Sequence, residues 1–165
     1  MPIILKSPMP YYDIGEFKNS GTIVLFTQYT IQESDGTNIT NVGDYTIPAN
    51  TLNKNGDIIE FTYWGNSYNS PTNFNIWLQL FGNTISVDTN ASNGAYLIRG
   101  RIIRATSNTL YYSINYMYAD AQQITKQGGY GGINFTTTNL IRLQIQASID
   151  GNIRLTSAYI NTLKA

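Results

Sequence analysis

The run from Ile58 to Trp64 constrains this chain most: Ile59, Phe61 and Tyr63 recur at every second position, with Glu60 and Thr62 between them. A period of two is that of a β-strand, which turns alternate side chains to opposite faces. Ahead of it, Pro48 fixes φ and withholds a donor, and Asn53-Lys-Asn-Gly-Asp57 supplies the turn chemistry that reverses a chain. Residues 44–65 therefore predict an extended lead-in, a turn, and a strand with one face for a core.

The same alternation recurs. In residues 22–31, Ile23, Leu25, Tyr29 and Ile31 share a face opposite Thr22, Val24, Phe26 and Gln28. Phe74, Ile76, Leu78 and Leu80 alternate with Asn75, Trp77, Gln79 and Phe81 before Gly82-Asn83 breaks the run. Residues 96–105 and 110–118 predict a hairpin, with Leu110, Tyr112, Ile114, Tyr116 and Tyr118 on one side. Ile141, Leu143, Ile145, Ala147 and Ile149 lead into Asp150-Gly-Asn152, after which Ile153, Leu155, Ser157 and Tyr159 share a face. Residues 88–94 and the glycine-rich residues 127–132 read as loops. About eight strands with no helical period indicate an all-β fold, a sandwich or a barrel. Residues 1–20, with three prolines and no sustained period, predict an extended N-terminal arm ahead of one domain at 21–165.

The element Ile47-Pro-Ala-Asn-Thr-Leu52, followed by Asn55-Gly-Asp57 and an alternating strand ending in Trp64-Gly65, resembles the jelly-roll domains of bacteriophage virion proteins. The resemblance is especially to trimeric head fibres, tail fibres and capsid decoration proteins. Phe81-Gly82, the strand at 96–105, the glycine-rich loop and Ile133-Asn-Phe-Thr-Thr-Thr-Asn-Leu140 keep a similar order, so the likeness spans about residues 20–163. It implies a single jelly-roll-like antiparallel β-sandwich, a homotrimer, and other virion proteins such as a major capsid protein as partners, with assembly in the host cytoplasm. The motifs record turn and core geometry, so they carry over no site residue.

Composition narrows the chemistry. The chain has 165 residues, enough for one self-sufficient core. It has no cysteine and no histidine, which removes disulfides, thiolate nucleophiles, histidine metal ligation and Ser-His-Asp catalysis. Ten basic and ten acidic residues cancel, and charged residues are 12% of the chain, about half of ordinary usage. A neutral chain lacks the electrostatic footprint of a nucleic-acid binder. No run of about 18 apolar residues is present for a membrane span, and Ile3-Ile-Leu5 is too short for a signal segment. Asparagine and threonine number 19 each, suiting turns and solvent-facing strand positions.

Paired carboxylates are the remaining route to hydrolysis, yet most acids stand in turn signals, and Asp44, Glu60 and Asp120 are unpaired in sequence. Asp88-Thr-Asn-Ala-Ser92 lacks the glycine and the closing glutamate of a calcium loop. The expectation is a non-enzymatic protein without cofactor or metal.

Three candidate surfaces follow. Val24, Phe26, Trp77, Phe81, Tyr111 and Met117 fall on faces opposite to those assigned to the core, and such an apolar excess with little charge is the pattern of a subunit interface. Tyr11, Tyr12 and Phe17 are candidate anchors of a particle-docking arm. Trp64, Arg99, Arg101 and Tyr130 are candidate contacts for a host-surface glycan, the alternative function, a receptor-binding module of a tail fibre.

Overall fold

The computed structural model describes residues 22–68, 75–88, 94–118, 122–147 and 153–165. Within them lie β1 (Thr22–Gln28), β2 (Gln32–Glu33), β3 (Thr40–Ile47), β4 (Ile58–Ser67), β5 (Asn75–Leu80), β6 (Asn83–Asp88), β7 (Gly94–Arg104), β8 (Leu110–Tyr118), β9 (Gln122–Tyr130), β10 (Asn139–Gln146) and β11 (Ile153–Leu163). The larger sheet runs β1-β11-β4-β7-β8-β9, with β2 also on β11, and the smaller runs β3-β10-β5-β6. Every pairing is antiparallel.

The pairs β5·β6, β4·β7, β3·β10 and β1·β11 are nested in sequence, each enclosing the one before. That is a single long hairpin with β5·β6 at its tip. Rolled up, it closes through β4·β11 in one sheet and β5·β10 in the other, giving a jelly-roll-like antiparallel β-sandwich. The β8–β9 hairpin is an addition between β7 and β10, and it extends the larger sheet by two strands.

The core is built from the inward residues of both sheets. Ile59, Phe61 and Tyr63 on β4, Ile76, Leu78 and Leu80 on β5, Ile98 and Ile102 on β7, and Ile141, Leu143 and Ile145 on β10 are all buried, as their two-residue period requires. The buried Tyr63 and Tyr96 hydroxyls donate to the carbonyls of Gly43 (3.2 Å) and Arg154 (3.0 Å), which removes the cost of an unpaired polar group. Burial pushes both phenols far above the ordinary tyrosine range, so they stay neutral donors.

Gly100 lies opposite Phe61 in the β4–β7 ladder, and the Phe61 ring fills the space above it. A methyl group there would stand 2.0 Å from Cζ of Phe61. Gly100→Ala is expected to cost about 2–3 kcal/mol by overpacking, read as a lower urea midpoint, with Phe61→Leu in the same chain recovering part of it.

Four sequence expectations are corrected. A bulge between Val24 and Phe26 shifts β1, so Phe26 turns inward and packs on Tyr45 with ring centroids 5.3 Å apart. A second bulge, between Leu155 and Ser157, puts Ala158 and Ile160 in the core and turns Ser157 and Tyr159 to the outer face. Phe81 takes φ 51° at the turn after β5, which ends the alternation and drops its ring into the core against Phe135 at 5.9 Å. Gly128 and Gly129 belong to strand β9 rather than to a loop, because the rings of Tyr112 and Tyr111 on β8 lie over them where side chains would otherwise stand.

Candidate functional site

The outer face of the larger sheet carries its apolar residues in rows across the strands. Trp64 on β4 faces Leu97 on β7, which faces Met117 on β8. Leu97 is only 9% exposed although it lies outside the core cluster, so Trp64 and Met117, at 42% and 43%, flank and shield it from the solvent side. A second row runs Leu163, Ile58, Ile103, Tyr111, and Tyr111 is 58% exposed. Between the rows lies a polar band, where Arg101 donates to Glu60 at 2.6 and 3.1 Å and Arg99 stands between Thr62 and Asn115. The Glu60 pair is half exposed, so it is worth at most about 1 kcal/mol. At the hairpin end, Tyr111, Tyr112, Gln127, Gly128 and Gly129 line a shallow cavity of about 440 Å³.

The six residues expected to form one interface are divided by the fold. Val24, Tyr111 and Met117 lie on the outer face of the larger sheet, whereas Trp77 is on the outer face of the smaller one. Phe26 and Phe81 turn into the sandwich. Sequence alternation missed Leu97, because it sits in a run of three buried residues, Tyr96, Leu97 and Ile98, that hides which face is which.

Of the four glycan candidates, Trp64, Arg99 and Arg101 share the outer face, on β4 and β7. Tyr130 does not join them: it packs on Tyr112 from the inner side of the hairpin, ring centroids 5.4 Å apart, and its burial there pushes its phenol above the usual value. The arm residues Tyr11, Tyr12 and Phe17 lie outside the described residues, as does Asp120.

The outer face of the smaller sheet is polar. Asn41, Gln144, Trp77 and Ser86 form one row across β3, β10, β5 and β6, and Arg142, Gln79 and Thr84 form the next. Arg142 is paired with Asp44 at 2.6 Å. Several amides are held by one another: Gln144 donates to Asn41 at 3.0 Å, Asn75 to Gln146 at 3.1 Å, and Gln146 to the Thr37 carbonyl at 2.6 Å.

No protein-family model matches the sequence, and no curated protein does. Among solved structures, the chain is similar to the CBM2 module of the evolved Dit of Lactobacillus casei BL23 phage J-1, at 8% identity and TM-score 0.44, over 86% of this chain and 96% of that one. It is similar to peanut lectin in complex with a 9mer peptide, at 8% identity and TM-score 0.39, over 86% and 97%. The structure of the infectious bursal disease virus Gx strain aligns at 13% identity and TM-score 0.34, over 99% of this chain and 38% of that one. At such identities the likeness concerns architecture alone.

Proposed function

We propose that the chain is a non-enzymatic structural protein of a bacteriophage virion, a capsid decoration or head-fibre protein that forms a homotrimer through the outer face of its larger sheet. The observation that carries the reading is the pair of apolar rows on this face, Trp64–Leu97–Met117 and, across the polar band, the row that ends in Tyr111, in which Trp64, Met117 and Tyr111 are exposed outside the core cluster. Sandwich strands need only one apolar face, and aromatic residues and methionine are enriched where subunits meet. Two of the four residues stand on the added β8–β9 hairpin, so the strands that extend the sheet also extend this surface. The absence of histidine and cysteine from the sequence agrees with a role that needs no imidazole or thiol chemistry. The virion setting comes from the sequence resemblance, and residues 1–20 are assigned the particle-docking role.

Two measurements test this. Sedimentation at micromolar concentration is expected to give a species of three chains, and a stable monomer would refute the interface. Deleting residues 1–20 is expected to abolish attachment to phage particles while leaving the number of chains per assembly unchanged; an intact attachment would remove the arm from the proposal.

A further inference from the structure

We infer that the outer face of the smaller sheet is a binding site for an uncharged sugar, with the indole of Trp77 as its platform. Trp77 is the centre of this face. It is partly exposed and stacks on no other ring among the described residues. Its lateral neighbours are Gln144 and Ser86, and Asn75 and Gln79 stand above and below it on β5. An isolated tryptophan ringed by amides and a hydroxyl presents what a pyranose requires. The indole offers a flat apolar surface to the C–H face of the ring, and planar amides offer both donors and acceptors to the ring hydroxyls. Lateral neighbours in a sheet lie about 5 Å away and diagonal ones about 7–8 Å, so a sugar ring centred on Trp77 places its hydroxyls over the surrounding side chains.

Two further features identify the class of ligand. The amides are fixed before any ligand arrives, since Gln144 is held by Asn41, and Gln146 is held between Asn75 and Thr37. Pre-fixed polar groups lose less entropy on binding, which matters for a ligand that gains little from each hydroxyl. The amide of Gln79 has no partner among the described residues, leaving both its donor and its acceptor for a ligand. The charge is also settled, because Arg142 is neutralised by Asp44 at 2.6 Å, so among the described residues the face offers no free cation to a carboxylated or sulfated sugar. A protein partner would instead be served by an apolar surface, and that surface lies on the opposite sheet. The sugar site therefore stays open whatever covers the larger sheet, and it does not depend on the trimer or on the virion setting.

The test is an array of neutral and anionic oligosaccharides probed with the whole chain, followed by calorimetric titration of the best neutral ligand. Binding of a neutral sugar that Trp77→Ala weakens at least about tenfold, while Tyr29→Ala, at an exposed aromatic given no binding role, leaves it intact, is the expected result. The double variant Gln79→Ala, Gln144→Ala tests the polar ring independently and is expected to weaken the same sugar without touching a buried residue. The proposal is overturned by no neutral binding at millimolar sugar, by binding that Trp64→Ala removes and Trp77→Ala does not, or by a preference for the anionic sugars. A Trp77→Ala protein that loses its oligomeric mass would equally overturn it, showing a second copy on this face.

Discussion

Asp57→Ala is expected to lower stability by about 3 kcal/mol, one of the largest losses any single polar substitution among the described residues can cause. Asp57 is fully buried at the start of β4, and its carboxylate accepts four hydrogen bonds: from the backbone N–H groups of Asn53 (2.9 Å), Lys54 (3.0 Å) and Ala165 (3.0 Å), and from the Lys164 ammonium (3.2 Å). It thus ties the turn before β4 to the end of β11. The same turn is stitched to β7, where Gly56 donates to the Arg104 carbonyl at 2.8 Å, Arg104 donates back to the Asp57 carbonyl at 3.0 Å, and the Arg104 guanidinium reaches the Leu52 carbonyl at 2.7 Å. Alanine leaves the donors around a small void. Lys164 is one-third exposed and regains water, which holds the loss below the upper end for a buried charge. Asp57→Asn keeps the side-chain shape and one acceptor oxygen, so it is expected to lose about half as much. Urea unfolding at neutral pH measures both.

Acid adds an independent check. Burial alone pushes the Asp57 carboxyl up, but the hydrogen bonds from Ala165, Lys54, Lys164 and Asn53 together outweigh it and hold the group below its ordinary value of 3.8. A carboxyl whose folded value lies below the unfolded one contributes stability above the unfolded value and loses it as pH falls through the folded one. The wild-type chain should therefore lose stability below about pH 4, and Asp57→Ala should show a shallower acid limb. Equal midpoints for wild type and Asp57→Ala at pH 7 would show that the corner is not a structural tie.

Why some of this was legible and some was not comes down to where the period of two survives. Leu78 on β5, Ile114 on β8 and Leu143 on β10 lie on strands that carry no extra residue of their own, since the bulges beside β5 and β10 fall on β6 and β3, and their burial follows from alternation alone. Phe26 and Tyr159 lie just past bulges, and one extra residue in a strand exchanges its two faces while leaving the composition unchanged. β6 and β9 escaped for different reasons. Asn83–Asp88 follows a tight turn with few apolar residues, and Gln122–Tyr130 carries Gly128 and Gly129, which read as loop until the tyrosines covering them are seen. The amide-ringed Trp77 is harder still, because Asn41 and Gln144 are 103 residues apart and only the rolled-up hairpin makes them neighbours.

Tyr111→Glu together with Met117→Glu is expected to convert the proposed trimer to monomers. Both side chains point outward from β8, at 58% and 43% exposure, so the isolated fold should lose only the cover that they give Gly129 and Leu97, about 1–2 kcal/mol, and the urea midpoint of the dilute protein serves as the control. In an interface the same carboxylates must shed water against apolar surface, which costs several kcal/mol for each unpaired charge. A penalty of that size is at least about a hundredfold in the association constant per site, enough to empty the assembled state at micromolar concentration. The partner control is Gln79→Glu, which places a new carboxylate on the smaller sheet and should leave the mass untouched. Sedimentation velocity on the three proteins separates the faces. If the double variant keeps the wild-type mass, the larger sheet does not carry the contact; if Gln79→Glu alone dissociates the assembly, the subunits meet on the smaller sheet, and the sugar site proposed there falls with the trimer surface.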